Sequence, residues 1–204
     1  RCAAASRIIV FEKVYEKFKK IFLAKVMKLK GGAGESDDFG ALISERRLKE
    51  ILRDVRGAVR RRAILLSGGH RLTDEKHREG YFMAPTVLER VSPQDEISQK
   101  ELFGPVATLY RVRNFEEAVR LANNSQFKLT GAIHTKNIDR AQEFVRRYEA
   151  GVVRVNGPTH GSEPHMPFGG RGLSGNGWRE PGTKALDFYS GWKQVSIDSD
   201  PNLV

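Results

Sequence analysis

Between Val106 and Asn156 the sequence alternates strand and helix signals without a break, and this alternation limits the possible folds more than any other feature of its 204 residues. Val106 to Val112 is rich in β-branched and aromatic residues and reads as a strand. Asn114, followed three positions later by Glu117, has the form of a capping box that opens a helix to Asn123. Leu129 to His134 reads as the next strand. Asn137 caps a helix expected to carry Ile138, Ala141, Val145 and Tyr148 on one face, and Gly151 to Asn156 returns as strand. Strands that alternate with helices pair in parallel through right-handed crossovers. The fold class expected is therefore α/β, an open, mostly parallel twisted sheet with flanking helices.

Upstream, Arg7 to Val10 reads as a short strand. From Lys13 to Lys28, Val14, Phe18, Ile21, Phe22 and Val26 recur at helical spacing, which predicts one buried face. A second helix runs from about Ser44 to Arg60, with Leu48, Ile51, Leu52, Val55 and Val59 on one stripe. Ala63 to Leu66 reads as a strand closed by Gly68 and Gly69. His70 to Gly80 is charged and aperiodic, an exposed connection. Phe82 to Val91 is extended, with Pro85 near its start. Thr183 to Tyr189 is expected as a short helix, and Trp192 to Ile197 as a last strand.

The stretch from Asn156 to Gly182 differs in kind. Eight of the twenty glycines and four of the eight prolines lie between residues 157 and 182. Neither helix nor ladder is expected to propagate there, so turns must set the path. Phe168 and Trp178 give this long loop apolar anchors that a disordered linker lacks, which favours a functional segment.

Within that loop Pro167, Phe168, Gly169 and Gly170, then Ser174, Gly175 and Gly177, then Arg179 and Glu180, resemble the C-terminal signature of the aldehyde dehydrogenase superfamily. Two more stretches match in the order the family has them: Glu101-Leu102-Phe103-Gly104-Pro105-Val106, and Arg1-Cys2-Ala3-Ala4-Ala5-Ser6-Arg7. Three motifs in order are far more specific than one glycine pattern. The wording from Thr159 to Glu163 and from Asn176 to Gly182 is similar to the branch that oxidises 2-oxoglutarate semialdehyde. The resemblance covers nearly the whole chain. It implies a catalytic domain over residues 1–190 that is N-terminally incomplete, and an oligomerisation strand and tail over 191–204.

A lone cysteine is ordinarily a small buried hydrophobe. The resemblance instead implies that Cys2 is the nucleophile, whose thiolate attacks an aldehyde carbon, gives up hydride to NAD or NADP, and releases the acid by thioester hydrolysis. It implies that Glu101 accepts hydrogen bonds from the nicotinamide ribose, that Phe103 packs near the nicotinamide, and that Phe168 lines the substrate tunnel. The family's general-base glutamate, oxyanion-hole asparagine and adenosine-binding residues lie upstream of the cysteine. No Gly-x-Gly-x-x-Gly opens a βαβ unit here. The implied partners are a missing N-terminal cofactor-binding half or a related subunit, a small aldehyde substrate, and further copies in a homo-oligomer. A noncatalytic remnant that pairs with a related subunit is the rival reading. Departures from the family pattern are Arg62 and Lys128 where glycine is usual, Ala41 after Gly40 in place of proline, and Gly191 where an acid is common.

One cysteine excludes an internal disulfide, and five histidines without paired spacing give no metal site. No apolar run approaches the ~20 residues of a membrane span, and residues 1 to 20 lack the regions of a secretory signal, so the expected location is cytoplasmic. The formal charge of +10 invites a nucleic-acid reading, with Arg60 to Arg62, Arg46 with Arg47, and Arg146 with Arg147 as candidate contacts. No recognised binding motif accompanies them, and nucleic acid is not the expected partner.

Overall fold

The computed structural model describes residues 1–161 and 163–197. Strand β1 (Arg7–Phe11) leads into helix α1 (Glu12–Val26), followed by α2 (Glu45–Arg60), β2 (Ile64–Ser67), β3 (Thr86–Glu89), the short α3 (Glu96–Gln99), β4 (Val106–Val112) and α4 (Phe115–Asn123). Then come β5 (Phe127–Lys128), β6 (Thr130–Ile133), α5 (Ile138–Arg147), β7 (Val152–Val155), β8 (Arg171–Gly172) and α6 (Ala185–Tyr189). The fold is the α/β class expected, a mostly parallel sheet with flanking helices.

The main sheet has the order β1-β4-β3-β2, parallel in its first two ladders and antiparallel at β2. The ladder of β6 with β7 is also parallel, as the alternation predicts, but it forms a separate two-stranded sheet. The outer edge of β1 carries no ladder among the described residues. The glycine-rich stretch is less irregular than expected, because Arg171–Gly172 pairs with Phe127–Lys128 and Phe168 bridges to Glu180.

Strand side chains alternate between faces, and that divides the core in two. Tyr110 and Val112 of β4 join Leu48, Ile51 and Val55 of α2 on one face; Leu109 joins Val10, Val87 and Tyr15 on the other. Helix α2 is capped by Ser44, whose hydroxyl accepts from the Arg47 N–H, and it turns Leu48, Ile51, Val55 and Ala58 inward while Val59 stays exposed. In α1 the buried face is rotated from the one expected. Tyr15 and Val26 are buried, Phe18 and Phe22 pack beside them, and Val14 and Ile21 are half exposed. The Tyr15 hydroxyl donates to the buried Glu89 at 2.8 Å and so selects the face. In α5 Ala141 and Phe144 are buried rather than Ile138 and Val145, with Phe144 stacked on Tyr148 at 4.8 Å.

Two local readings change with the structure. Arg62 adopts φ 77° at the exit of α2, a left-handed conformation that glycine takes freely and that costs other residues roughly 1 kcal/mol or more. Lys128 holds no positive φ. The charged stretch from His70 to Gly80 is largely exposed, as expected, and it is also tied down. Both ring nitrogens of His77 meet acceptors, Asp74 Oδ2 at 2.6 Å and the Gly31 carbonyl at 2.9 Å, while its ring lies edge-on to Phe82. Lys76 adds an ion pair to Asp37 on the same glycine turn. Trp192 to Ile197, expected as a strand, joins no ladder among the described residues, and residues 198–204 of the expected tail lie outside them.

Two acceptors favour the imidazolium, and the Gly31 carbonyl, then Asp74, hold the His77 pKa above its usual value. The stabilisation this contact gives is fully present below about pH 6.5, the ordinary histidine value, and is lost as pH rises through the higher folded-state pKa. Melting curves of the wild type and His77→Gln are expected to differ most in mildly acidic buffer and to converge in mildly alkaline buffer. A gap that is independent of pH contradicts the imidazolium clasp.

Candidate active site

Cys2 is exposed and sits in a turn closed by the Ala4 N–H donating to the Arg1 carbonyl at 3.1 Å. Two threonines from distant parts of the chain fix this segment. Thr159 Oγ1 donates to the Ala3 carbonyl at 2.6 Å, and Thr108 donates to the Ser6 carbonyl through its N–H at 2.8 Å and its hydroxyl at 3.1 Å. The first contact joins the cysteine turn to the glycine-rich loop. The second starts the parallel ladder of β1 with β4, in which Arg7 stands opposite Thr108.

That register decides where the second motif lies. Glu101 to Pro105 directly precede β4, so they reach the same amino end of the sheet as the residues that precede β1. Arg47 of α2 fastens this segment, donating to the carbonyls of Glu101, at 2.8 Å, and Leu102. Phe103 holds φ 53° with its ring exposed, and a Cβ on Gly104 would come within 2.7 Å of Ile51 Cδ1. The backbone is therefore pinned between α2 and β4 while the Glu101 and Phe103 side chains face outward. The Glu101 carboxylate makes no hydrogen bond among the described residues.

Phe168 is half-buried and exchanges two backbone hydrogen bonds with Glu180, at 2.7 and 2.9 Å. The loop packs so tightly that a Cβ on Gly151 would fall 1.7 Å from the Gly169 carbonyl oxygen, which excludes any side chain there. Lys128 secures the other flank: its N–H donates to Ser174 Oγ at 3.1 Å, and its ammonium pairs with Glu149, holding that carboxyl below its usual range. Trp178 meets Phe188 of α6 edge-on at 5.8 Å. Gly170-Arg171-Gly172-Leu173-Ser174-Gly175 spells Gly-x-Gly-x-x-Gly, but the next helix starts only at Ala185. It thus lacks the helix N-terminus that would receive a pyrophosphate.

The structure places the Cys2 segment and the Glu101–Phe103 segment at one end of adjacent strands, and ties the loop that carries Phe168 to the cysteine turn. No hydrogen bond joins the four side chains to one another among the described residues. Sequence reasoning missed Arg47, Thr108 and Thr159. Arg47 was grouped with surface cations, and only its position one helical turn before Ile51 hinted that it faces the motif. Among the candidate nucleic-acid contacts, Arg47 is spent on those carbonyls, Arg61 is bidentate to Asp95, and Arg147 is held by Glu116 and Glu143. Among the described residues no group of three or more His, Cys, Asp or Glu side chains is gathered to hold a metal ion, and no helix is long and apolar enough to cross a membrane.

Comparison with known proteins gives a consistent picture. A model of the aldehyde dehydrogenase family matches residues 1–195. The alpha-ketoglutaric semialdehyde dehydrogenase of Bacillus subtilis is 35% identical over 97% of this chain and 41% of its own length. The alpha-ketoglutarate semialdehyde dehydrogenase of Haloferax volcanii is 38% identical over 95% of this chain and 40% of its own. The crystal structure of betaine aldehyde dehydrogenase from Staphylococcus aureus in complex with NAD+ superposes with a TM-score of 0.86 at 32% identity, covering 90% of this chain and 37% of that one. The chain thus spans about two fifths of the length of the curated relatives it matches.

Arg47→Ala is expected to release the segment before β4. Hydrogen exchange at the Thr86 and Val106 amides, which donate to the Pro105 and Gly104 carbonyls, should accelerate, with a stability loss of roughly 1–2 kcal/mol for the charged donor. Unchanged exchange at those amides would show that Gly104 and β4 hold the segment without it.

Proposed function

This chain belongs to the aldehyde dehydrogenase family, and from that premise we propose that it is the catalytic-domain portion of an NAD(P)-dependent enzyme oxidising an aldehyde to a carboxylic acid. The preferred substrate in this reading is 2-oxoglutarate semialdehyde. The observation that supports it is the register of β1 with β4, by which the segments of Cys2 and of Glu101–Phe103 precede adjacent parallel strands at the same end of the sheet. The substrate is supported by the names of two relatives and by the loop wording around the signature.

Cys2 is the nucleophile: its thiolate adds to the carbonyl carbon, and its backbone N–H, which makes no hydrogen bond among the described residues, donates to the oxygen as charge develops. Loss of hydride from the adduct leaves a thioester. Water then cleaves the C–S bond, releasing the acid and restoring the thiol. A nicotinamide cofactor supplies the hydride acceptor when bound. The exposed Glu101 carboxylate would accept from its ribose hydroxyls and the Phe103 ring would pack at its flank, since both stand on pinned backbone and their side chains make no hydrogen bond among the described residues. Phe168 lines the substrate side.

The adenosine half of such a cofactor has no comparable residues here, and this agrees with two features of the fold. The outer edge of β1 carries no ladder among the described residues. Arg7 at the start of β1 and Arg154 in β7 each bury an Nε without a partner among the described residues. We therefore infer that turnover needs the cofactor-binding portion of the enzyme. The isolated chain is expected to oxidise 2-oxoglutarate semialdehyde on the order of 10⁴-fold more slowly than the assembled enzyme, for want of a base and an oxyanion donor. Adding a matching cofactor-binding portion should restore NAD(P)H production, and Cys2→Ala should abolish it. Turnover that survives Cys2→Ala, or an inactive intact assembly, favours the noncatalytic subunit instead.

Trp192, Val195 and Ile197 are exposed apolar residues outside any ladder. We infer that this tail adds as an edge strand to a sheet of another copy, making a homo-oligomer. Light scattering is expected to show a larger species for the full chain than for one ending at Ser190. Equal monomeric masses at matched concentration would refute it.

A further inference from the structure

The carboxyl ends of β4 and β3 open onto a crevice of about 680 Å³ that takes no part in the chemistry given to Cys2. Cys2 precedes the amino end of β1, so the strand itself, roughly 13 Å over its four residue steps, separates the two. In open α/β sheets ligands bind outside the carboxyl ends of the strands. Here Tyr15 of α1 and Leu121 of α4 both line the crevice, although one belongs to the core cluster on one face of the sheet and the other to the cluster on the opposite face. The space is thus bounded by a helix from each side.

Its charges fall into two sets. The first is neutralised internally. Glu89, buried at the floor, accepts from Tyr15 at 2.8 Å and from Lys19 at 3.1 Å, and Glu16 pairs with Lys19 and Arg111. Glu117 is engaged by Arg113 from outside. The second set is Arg90 and Arg120, which line the same space and make no ion pair or side-chain hydrogen bond among the described residues. Hydrogen bonds from Arg147 to Glu116 and from Arg113 to Glu117 hold those two carboxyls below the usual range, and the Arg120 charge is close enough to help. Arg90 also holds φ 56°, a conformation uncommon for a residue with a side chain and kept only where its surroundings impose it.

We propose that this crevice binds a small organic dianion, a phosphate monoester or a dicarboxylate, through the guanidinium groups of Arg90 and Arg120. Planar guanidinium forks match both kinds of anion. Val91, Pro93 and Leu109 offer apolar wall to a carbon skeleton. A cationic ligand is disfavoured, because Lys19 and Arg111 already lie over the Tyr15 ring, at 5.3 and 4.5 Å.

Isothermal titration of the full chain with glycerol 3-phosphate and with glutarate, at low ionic strength and with chloride as reference, tests this. Saturable one-site binding of either probe is expected, weakened roughly tenfold by Arg90→Gln or Arg120→Gln, the weight of a charge-assisted hydrogen bond. The probe that binds tighter identifies the anion class. Arg140→Gln, on the exposed side of α5, should leave binding unchanged, and so should Cys2→Ala, which keeps the result separate from the catalytic reading. Heats no different from chloride would overturn the proposal. So would equal weakening by Arg140→Gln, which marks general attraction to a basic chain, or full binding by both crevice variants. If Arg90→Gln melts early by circular dichroism, Arg120→Gln decides the question, with Arg120→Lys expected to restore only part of the lost affinity.

Discussion

The parallel ladder of β1 with β4 is the constraint on which the rest of this molecule depends. It joins residues a hundred positions apart, Arg7 to Thr108, and the hydrogen bonds from Thr108 to the Ser6 carbonyl extend it toward the cysteine. Side chains alternate along strands, so this one register fixes which β4 residues enter each core cluster. It also fixes which segments meet at the amino end of the sheet. A slip by one residue would exchange Leu109 and Tyr110 between faces and lose the bond between Tyr110 and Ser98 at 2.7 Å.

Rigid supports and exposed chemistry are kept apart at that end. Arg47, Thr108 and Thr159 act on backbone carbonyls, while Cys2, Glu101 and Phe103 project from the fixed backbone with few partners of their own. Such an arrangement suits groups that must meet something outside this chain. It also accounts for the few hydrogen bonds these side chains make among the described residues, since a group that meets an outside partner must keep its own donors and acceptors open.

The class of fold was legible in the alternation from Val106 to Asn156, because β-branched runs and capping residues are local signals, whereas the sheet order β1-β4-β3-β2 depends on long-range pairing. Helix ends were legible for the same reason: Ser44, Asn114 and Asn137 each accept the backbone N–H expected of a cap. Which apolar residues of a helix face inward was less legible. Val14, Ile21, Ile138 and Val145 all fit helical spacing, yet a single long-range hydrogen bond from Tyr15 and the Phe144–Tyr148 stack turn the helices by about one position. The motifs singled out Cys2, Glu101, Phe103 and Phe168, which lie on segments that the structure brings to one end of the sheet or ties to it. They said nothing of the residues holding them, because Arg47 and Thr159 act across separations of 54 and 156 residues, and no local pattern encodes that.

The charge of the chain finds its meaning in the same distinction between local and long-range signals. Read as composition, +10 is a field that invites any polyanion. Read in the structure, several of the cations are structural: Arg61 closes α2 onto Asp95, Arg147 joins α5 to α4 through Glu116, and Lys100 neutralises the buried Asp54. Each ties one element to the next, and each loses its reach toward a ligand by doing so. The arginines that matter for recognition are therefore those left over where the backbone has made a cavity. Among the residues lining the crevice beyond β3 and β4, that condition leaves Arg90 and Arg120.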